Sequence, residues 1–247
     1  MPQDPHSEMQ QAPATHETRW SLVALAASPE DSSVNAMDEL LQIYLPVLKG
    51  MLNRWPQLDE STKEDLLQSF VQKRILEKQL LSKADASKGR FRNFLFRSFQ
   101  NHIVDECRKS ANTKRSPGKE NLVSYDEIQG GIGESSELEK AYNVSWVRNL
   151  LEEGCRRLEV ECKQKDRMDL WVVFCERLKK PFLEGAVPMP YGELVELLDI
   201  ESPSQASNLL VTSKRLLRKY LEDVIRETVN DPTEIQAEVQ FLKKCLK

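Results

Sequence analysis

Between residues 37 and 55 the apolar side chains Leu40, Leu41, Tyr44, Leu45, Leu48, Met51 and Leu52 recur three and four residues apart. A helix turns once in ~3.6 residues, so this spacing gathers them on one face, whereas a half-buried strand needs alternation at two. The pattern returns at Leu67, Val71 and Ile75, with Phe70 alongside, and again over residues 91–110, 141–161, 166–179, 191–198 and 204–229. No segment alternates strongly enough to be read as a strand. Only nine glycines occur in 247 residues, while Leu, Glu, Lys and Gln are common, which favours helix. The expected fold class is all-α.

Punctuation divides the helices. Residues 1–18 are polar and rich in Gln and Pro, and read as a disordered tail. Pro46 predicts a kink or break. Ser61 or Thr62 is placed to cap a helix running to about Leu81, with Glu64 and Asp65 in its first turn, where the helix dipole favours acids. Residues 82–89 form a polar loop. Residues 111–141 hold Pro117, Gly118, Gly130, Gly131 and Gly133 amid polar residues, the composition of a flexible linker. Pro181, Pro188 and Pro190 mark another loop, followed by a short helix over 191–198, a turn over 199–203 and a long helix. The expected architecture is two small helical domains, 19–112 and 142–230, joined by a flexible acidic linker at 113–141 and followed by a C-terminal extension at 231–247.

The formal net charge of −4 argues against a surface coated with base, but the charge is unevenly spread. Residues 86–119 hold nine Lys/Arg against two acids, residues 120–141 six acids against one Lys, and residues 204–226 five bases against two acids. Two basic segments separated by an acidic one imply local anionic partners.

The first basic segment runs from Ser87 through Phe91, Phe94, Phe96 and Phe99 to Lys109, with Arg, Lys, Asn and Gln between the aromatics. Arg and Lys neutralise phosphates, and exposed aromatics stack on unpaired bases. The alternative is an amphipathic core helix with a solvated basic face, and most of these Phe belong to a core under either reading. The second basic segment reads as a helix-turn-helix. Leu209, Leu210, Leu216, Leu217, Tyr220, Leu221 and Val224 fall on one arc of its long helix. Ser207, Asn208, Val211, Lys214, Arg215, Arg218 and Lys219 fall on the other. On the helix from residue 61, Asp65, Gln68 and Gln72 share a polar stripe.

Nothing competes as catalytic machinery. His6 and His16 lie in the tail, leaving His102 alone, and no P-loop, GxGxxG, HExxH or GxSxG occurs. Five cysteines, without a CxxC pair, are expected to be reduced thiols. Neither metal nor cofactor is expected. No run approaches the ~20 apolar residues of a membrane span, so the expectation is a cytoplasmic protein that does not engage membranes and is not an enzyme.

Together these residues resemble the sigma-70 family of transcription-initiation factors, in its extracytoplasmic-function type. Glu64-Asp65-Leu66-Leu67-Gln68-Ser69-Phe70, then Arg74-Ile75-Leu76, looks like the family's region 2.2. Gly89-Arg90-Phe91-Arg92, Phe94-Leu95-Phe96-Arg97, Asn101, Asp105 and Arg108-Lys109 look like regions 2.3 and 2.4 without a gap. Thr18-Arg19-Trp20-Ser21-Leu22 and Glu227-Thr228-Val229-Asn230-Asp231-Pro232 are similar to a subgroup abundant in planctomycete-like bacteria.

The resemblance implies a sigma-2 domain at 19–112 and a sigma-4 helix-turn-helix domain at 142–230. Core RNA polymerase would be the protein partner, through the clamp of its largest subunit and through its flap, with Asp65, Gln68 and Gln72 docking on the clamp. Promoter DNA would be the other partner. Lys88, Arg90, Phe91, Arg92, Arg97, Asn101, Arg108 and Lys109 would face the minus-ten element. Gln205, Ser207, Asn208, Lys214, Arg215 and Arg218 would face the minus-thirty-five element. The recognition helix departs from the family pattern in carrying no base before Lys214. An anti-sigma factor or a regulatory kinase is an open further partner. The alternative reading is a helix-turn-helix transcriptional regulator, or a sigma-like adaptor, that does not itself initiate.

Overall fold

The structure, a computed structural model, describes residues 19–29, 31–53, 55, 58–77, 80–113, 135–229 and 232–245. The expected tail at 1–18 and most of the expected linker lie outside these residues. Among them every regular element is helical, as the apolar spacing implies.

Helix α1 (Arg19–Ala27) packs on α2 (Ser32–Leu52). Of the kink or break expected at Pro46, the break does not occur: α2 is continuous through it. Pro46 is exposed while Tyr44, Val47 and Leu48 around it are buried. The loss of one backbone bond on the wet side is offset by burial on the dry side, where each large apolar side chain is worth ~1.5–3 kcal/mol.

Helix α3 (Glu60–Phe70) is capped by Asp59, two or three residues before the expected Ser61 or Thr62. The Asp59 carboxylate accepts from the Thr62 amide at 2.6 Å, a bond that also holds its pKa below the ordinary aspartate value. The helix widens into a π-helical stretch at Val71–Leu76 and stops, short of the expected Leu81, which lies in a separate 3-10 turn, Leu81–Lys83. Spacing explains the widening. In a regular α-helix Ile75, five residues after Phe70, would point ~140° away from it. The wider turn returns it to the core, where Phe70 is 0% and Ile75 1% exposed. Leu66 is buried with them, while Leu67 and Val71 are half-buried at the margin of that face.

Helix α4 (Phe91–Thr113) follows a second 3-10 turn, Ala86–Lys88, and Gly89 at φ 120°, a value open to glycine. The next helix, α5 (Ser135–Gln164), starts inside the stretch read as linker. Leu138 and Tyr142 are already buried at its start, so this end of the expected linker is packed helix.

The chain continues through α6 (Met168–Phe174), a π-helical stretch at Cys175–Lys179 and the short α7 (Lys180–Glu184). Then come α8 (Tyr191–Leu198), α9 (Pro203–Glu227) and α10 (Ile235–Cys245). Two apolar clusters result. The first joins α1 to α4 with Tyr142, Trp146, Val147 and Leu150 of α5, Val224 and Ile225 of α9 and Leu242 of α10. The second joins Cys155, Leu158 and Cys162 of α5 to α6, α8 and the start of α9. The 30-residue α5 and 25-residue α9 reach both clusters. They approach closely at Gly154, where an added Cβ would lie 2.7 Å from Leu221 Cδ2. Arg157 on α5 also donates to both carboxylate oxygens of Glu227, at 2.6 and 2.8 Å.

Candidate nucleic-acid interface

Helix α4 separates its residues cleanly. Phe91, Leu95, Phe99, Ile103 and Cys107 recur at four and are all buried. Asn93, Arg97, Asn101 and Arg108 fall at matching intervals on the opposite side and are exposed, with Lys109 beside them. The four Phe divide accordingly. Phe91, Phe96 and Phe99 are core, and Phe94 is half-buried. Phe91 meets Tyr44 and Trp20 edge-on at centroid distances of 5.3 and 5.8 Å. Phe91 is therefore a core residue and not the exposed DNA contact expected of it.

Arg92 differs from its expected place. It is 4% exposed, buried where α4 meets α5 and α10. Its guanidinium donates to both oxygens of Glu238, which is itself 0% exposed, through Nη1 and through Nη2 at 3.2 Å. It also lies 4.5 Å from the ring centroid of Phe241 and 5.6 Å from that of Trp146. Its backbone carbonyl accepts from Tyr142 Oη at 2.9 Å. Arg90, half-buried, pairs with the other side of the same Glu238 carboxylate. In this arrangement neither arginine faces solvent as a free DNA contact. Lys88 is exposed and lies 3.2 Å from Asp85.

A second polar surface lies on α3 and its π-helical continuation. Asp65, Gln68 and Gln72 are all exposed, as their spacing required. This element is tied to α4 by Lys73 to Glu106 at 3.2 Å and Arg74 to Asp105 at 3.3 Å. Between these pairs and the core, His102 is buried against Phe70, with Nε2 2.7 Å from Ser69 Oγ. Ser69 Oγ also reaches the Leu66 carbonyl, at 3.1 Å. Burial pushes the His102 pKa below 6.5, partly countered by Glu106.

The last third places the short α8, a turn and the long α9 in succession. Helix α8 buries Leu194 against Ala206, Leu209 and Leu210 of α9, and Asp199 ends it in the left-handed region at φ 50°. Helix α9 begins at Pro203, earlier than expected. Its N-cap Ser202 accepts from the Gln205 amide at 3.3 Å, and Gln205 Oε1 accepts from the Glu201 amide at 2.9 Å. This is close to a capping box, and it corrects the role of Gln205: its side-chain oxygen holds the turn. The Ser202-Pro203-Ser204-Gln205 order carries that signal in the sequence. Ser207 is half-buried, while Asn208, Val211, Lys214, Arg215, Arg218 and Lys219 are exposed along one side of α9. Arg218 bonds Glu222 at 3.0 Å.

Among the described residues no group of His, Cys, Asp and Glu is arranged to hold a metal ion, and no helix is long and apolar enough to cross a membrane. Burial pushes the thiols of Cys107, Cys155 and Cys175 up to about 11, away from thiolate chemistry. In comparisons with known proteins, no family model, no curated protein and no solved structure matches this chain.

Proposed function

We propose that this chain is a sigma-70-type initiation factor that binds core RNA polymerase and opens promoter DNA. The observation that carries the reading is the exposed strip of α4, with Asn93, Arg97, Asn101 and Arg108 backed by a wall of buried apolar residues. A strip of two cations and two amides on a rigid helix suits a nucleic-acid strand: the cations meet phosphates and the amides meet base edges. The Asp65, Gln68 and Gln72 stripe, on the element bonded to α4, is the proposed seat on the polymerase clamp. The helix-turn-helix of α8 and α9 is the proposed reader of a distal duplex element, through Asn208, Lys214, Arg215 and Arg218. The second apolar cluster lies within the proposed second domain, while the first joins the proposed first domain to parts of α5, α9 and α10.

A second reading is a helix-turn-helix regulator that does not initiate. It is favoured by the burial of Phe91 and Arg92, which leaves α9 as the more accessible basic surface. Affinity for core polymerase separates the two. Nanomolar co-purification with core enzyme, and promoter-specific transcripts on reconstitution, support an initiation factor. Duplex binding with no core affinity supports the regulator.

A further inference from the structure

We infer that α10 is an intramolecular plug, in which the carboxylate of Glu238 occupies on Arg90 and Arg92 the place that a nucleic-acid phosphate would take. The inference rests on the proposed nucleic-acid role of α4 and adds its regulation.

Glu238 sits within the apolar face of its own helix. Ile235, Glu238, Val239 and Leu242 lie three, four and seven residues apart, so they share one side. That side is seated on α5 and α9, where Ile235, Val239, Phe241 and Cys245 pack against the first apolar cluster and Leu242 is buried in it. A carboxylate in the middle of a buried helix face is costly unless its partners are fixed. Here the partners are two arginines from the opposite half of the chain, both among the residues expected to meet DNA.

The seat suits exchange. Arginine holds carboxylate and phosphate in the same two-pronged geometry. Glu238 fills the two Nη positions of Arg92, but Arg92 Nε is buried without a partner. A phosphate, with more acceptor oxygens, can satisfy that donor. The plug is also short. A helix of 11 residues is marginal in water by itself, so α10 holds its shape only while seated. Leaving the seat uncovers Arg90 and Arg92 at the start of α4, with Arg92 on the face of the helix away from Asn93 and Arg97. While α10 is seated, the binding-competent fraction is small and apparent affinity falls by that fraction.

The test uses the full chain and a fluorescent single-stranded oligonucleotide followed by anisotropy across a salt series. Glu238→Gln keeps the shape and removes the charge, and Val239→Asp unseats the helix and leaves Glu238 intact. Both are expected to bind about tenfold more tightly than the parent. The dependence of log affinity on log salt should steepen by roughly 0.7 for each phosphate newly held. Alkylation of half-buried Cys245, on the same helix, should accelerate in both variants as α10 leaves. Unchanged affinity and salt slope after α10 has left overturn the plug. Unchanged alkylation in both variants overturns it too, since Glu238 and Val239 then do not hold the helix down. Core-polymerase binding is measured on the same proteins. Its absence from all of them defeats the initiation reading, whereas the plug is judged on oligonucleotide affinity.

Discussion

The guanidinium of Arg92 and the carboxylate of Glu238, 146 residues apart in sequence, form an ion pair from which water is excluded. Buried pairs of this kind respond unequally to mutation. Arg92→Ala leaves Glu238 buried with only Arg90 beside it, and should lower unfolding free energy by about 3 kcal/mol. The double variant Arg92→Met, Glu238→Met replaces both charges with apolar volume and should recover most of that loss. Urea unfolding of the three proteins checks this, and a double variant no more stable than the single one would contradict it.

Arg97 and Asn101 are exposed. Replacing both with Ala should therefore change stability by no more than about 0.5 kcal/mol. It should nonetheless weaken open-complex formation with polymerase, with a salt slope lower by about 0.7 to 0.9 for the lost phosphate contact. Loss of stability in place of loss of melting would return this helix to a purely structural role.

The stripe of Asp65, Gln68 and Gln72 stands clear of the core. Changing Asp65 and Gln68 to Ala should reduce affinity for core polymerase at least tenfold, measured by fluorescence titration, with the circular dichroism spectrum and unfolding midpoint retained. Equal affinity would remove this surface from the proposed contact.

His102 sets a pH dependence. Its pKa is lower folded than the 6.5 of the free side chain, so below that value the unfolded chain binds the proton more readily. Its contribution is fully present above about pH 6.5 and is lost as pH falls through the lower folded value. His102→Gln, which keeps a polar group toward Ser69, should flatten the stability profile just below about pH 6.5. A profile as steep as the parent's would place the titration elsewhere.

Much of this was legible in the sequence because helical spacing reports which residues share a face. It placed Asp65, Gln68 and Gln72 on one exposed stripe, and Lys214, Arg215 and Arg218 opposite Leu209 and Leu210. Spacing is silent on which distant element covers a face. Arg92 has the composition of a DNA contact, and its burial depends on a glutamate in the extension. The one local sign was Glu238 itself, an acid within the apolar face of a short helix. The early end of α3 was hidden for another reason: the five-residue step from Phe70 to Ile75 fits a π turn, a rare geometry. Gln205 stands three residues after Ser202, a spacing that itself marks a helix cap.

Reconstitution of the full chain with core RNA polymerase on genomic promoter templates tests the central claim most directly. The account predicts tight core binding and transcripts that start at defined promoters. A chain that binds no core polymerase, and adds no start site to those of the core enzyme alone, would contradict it.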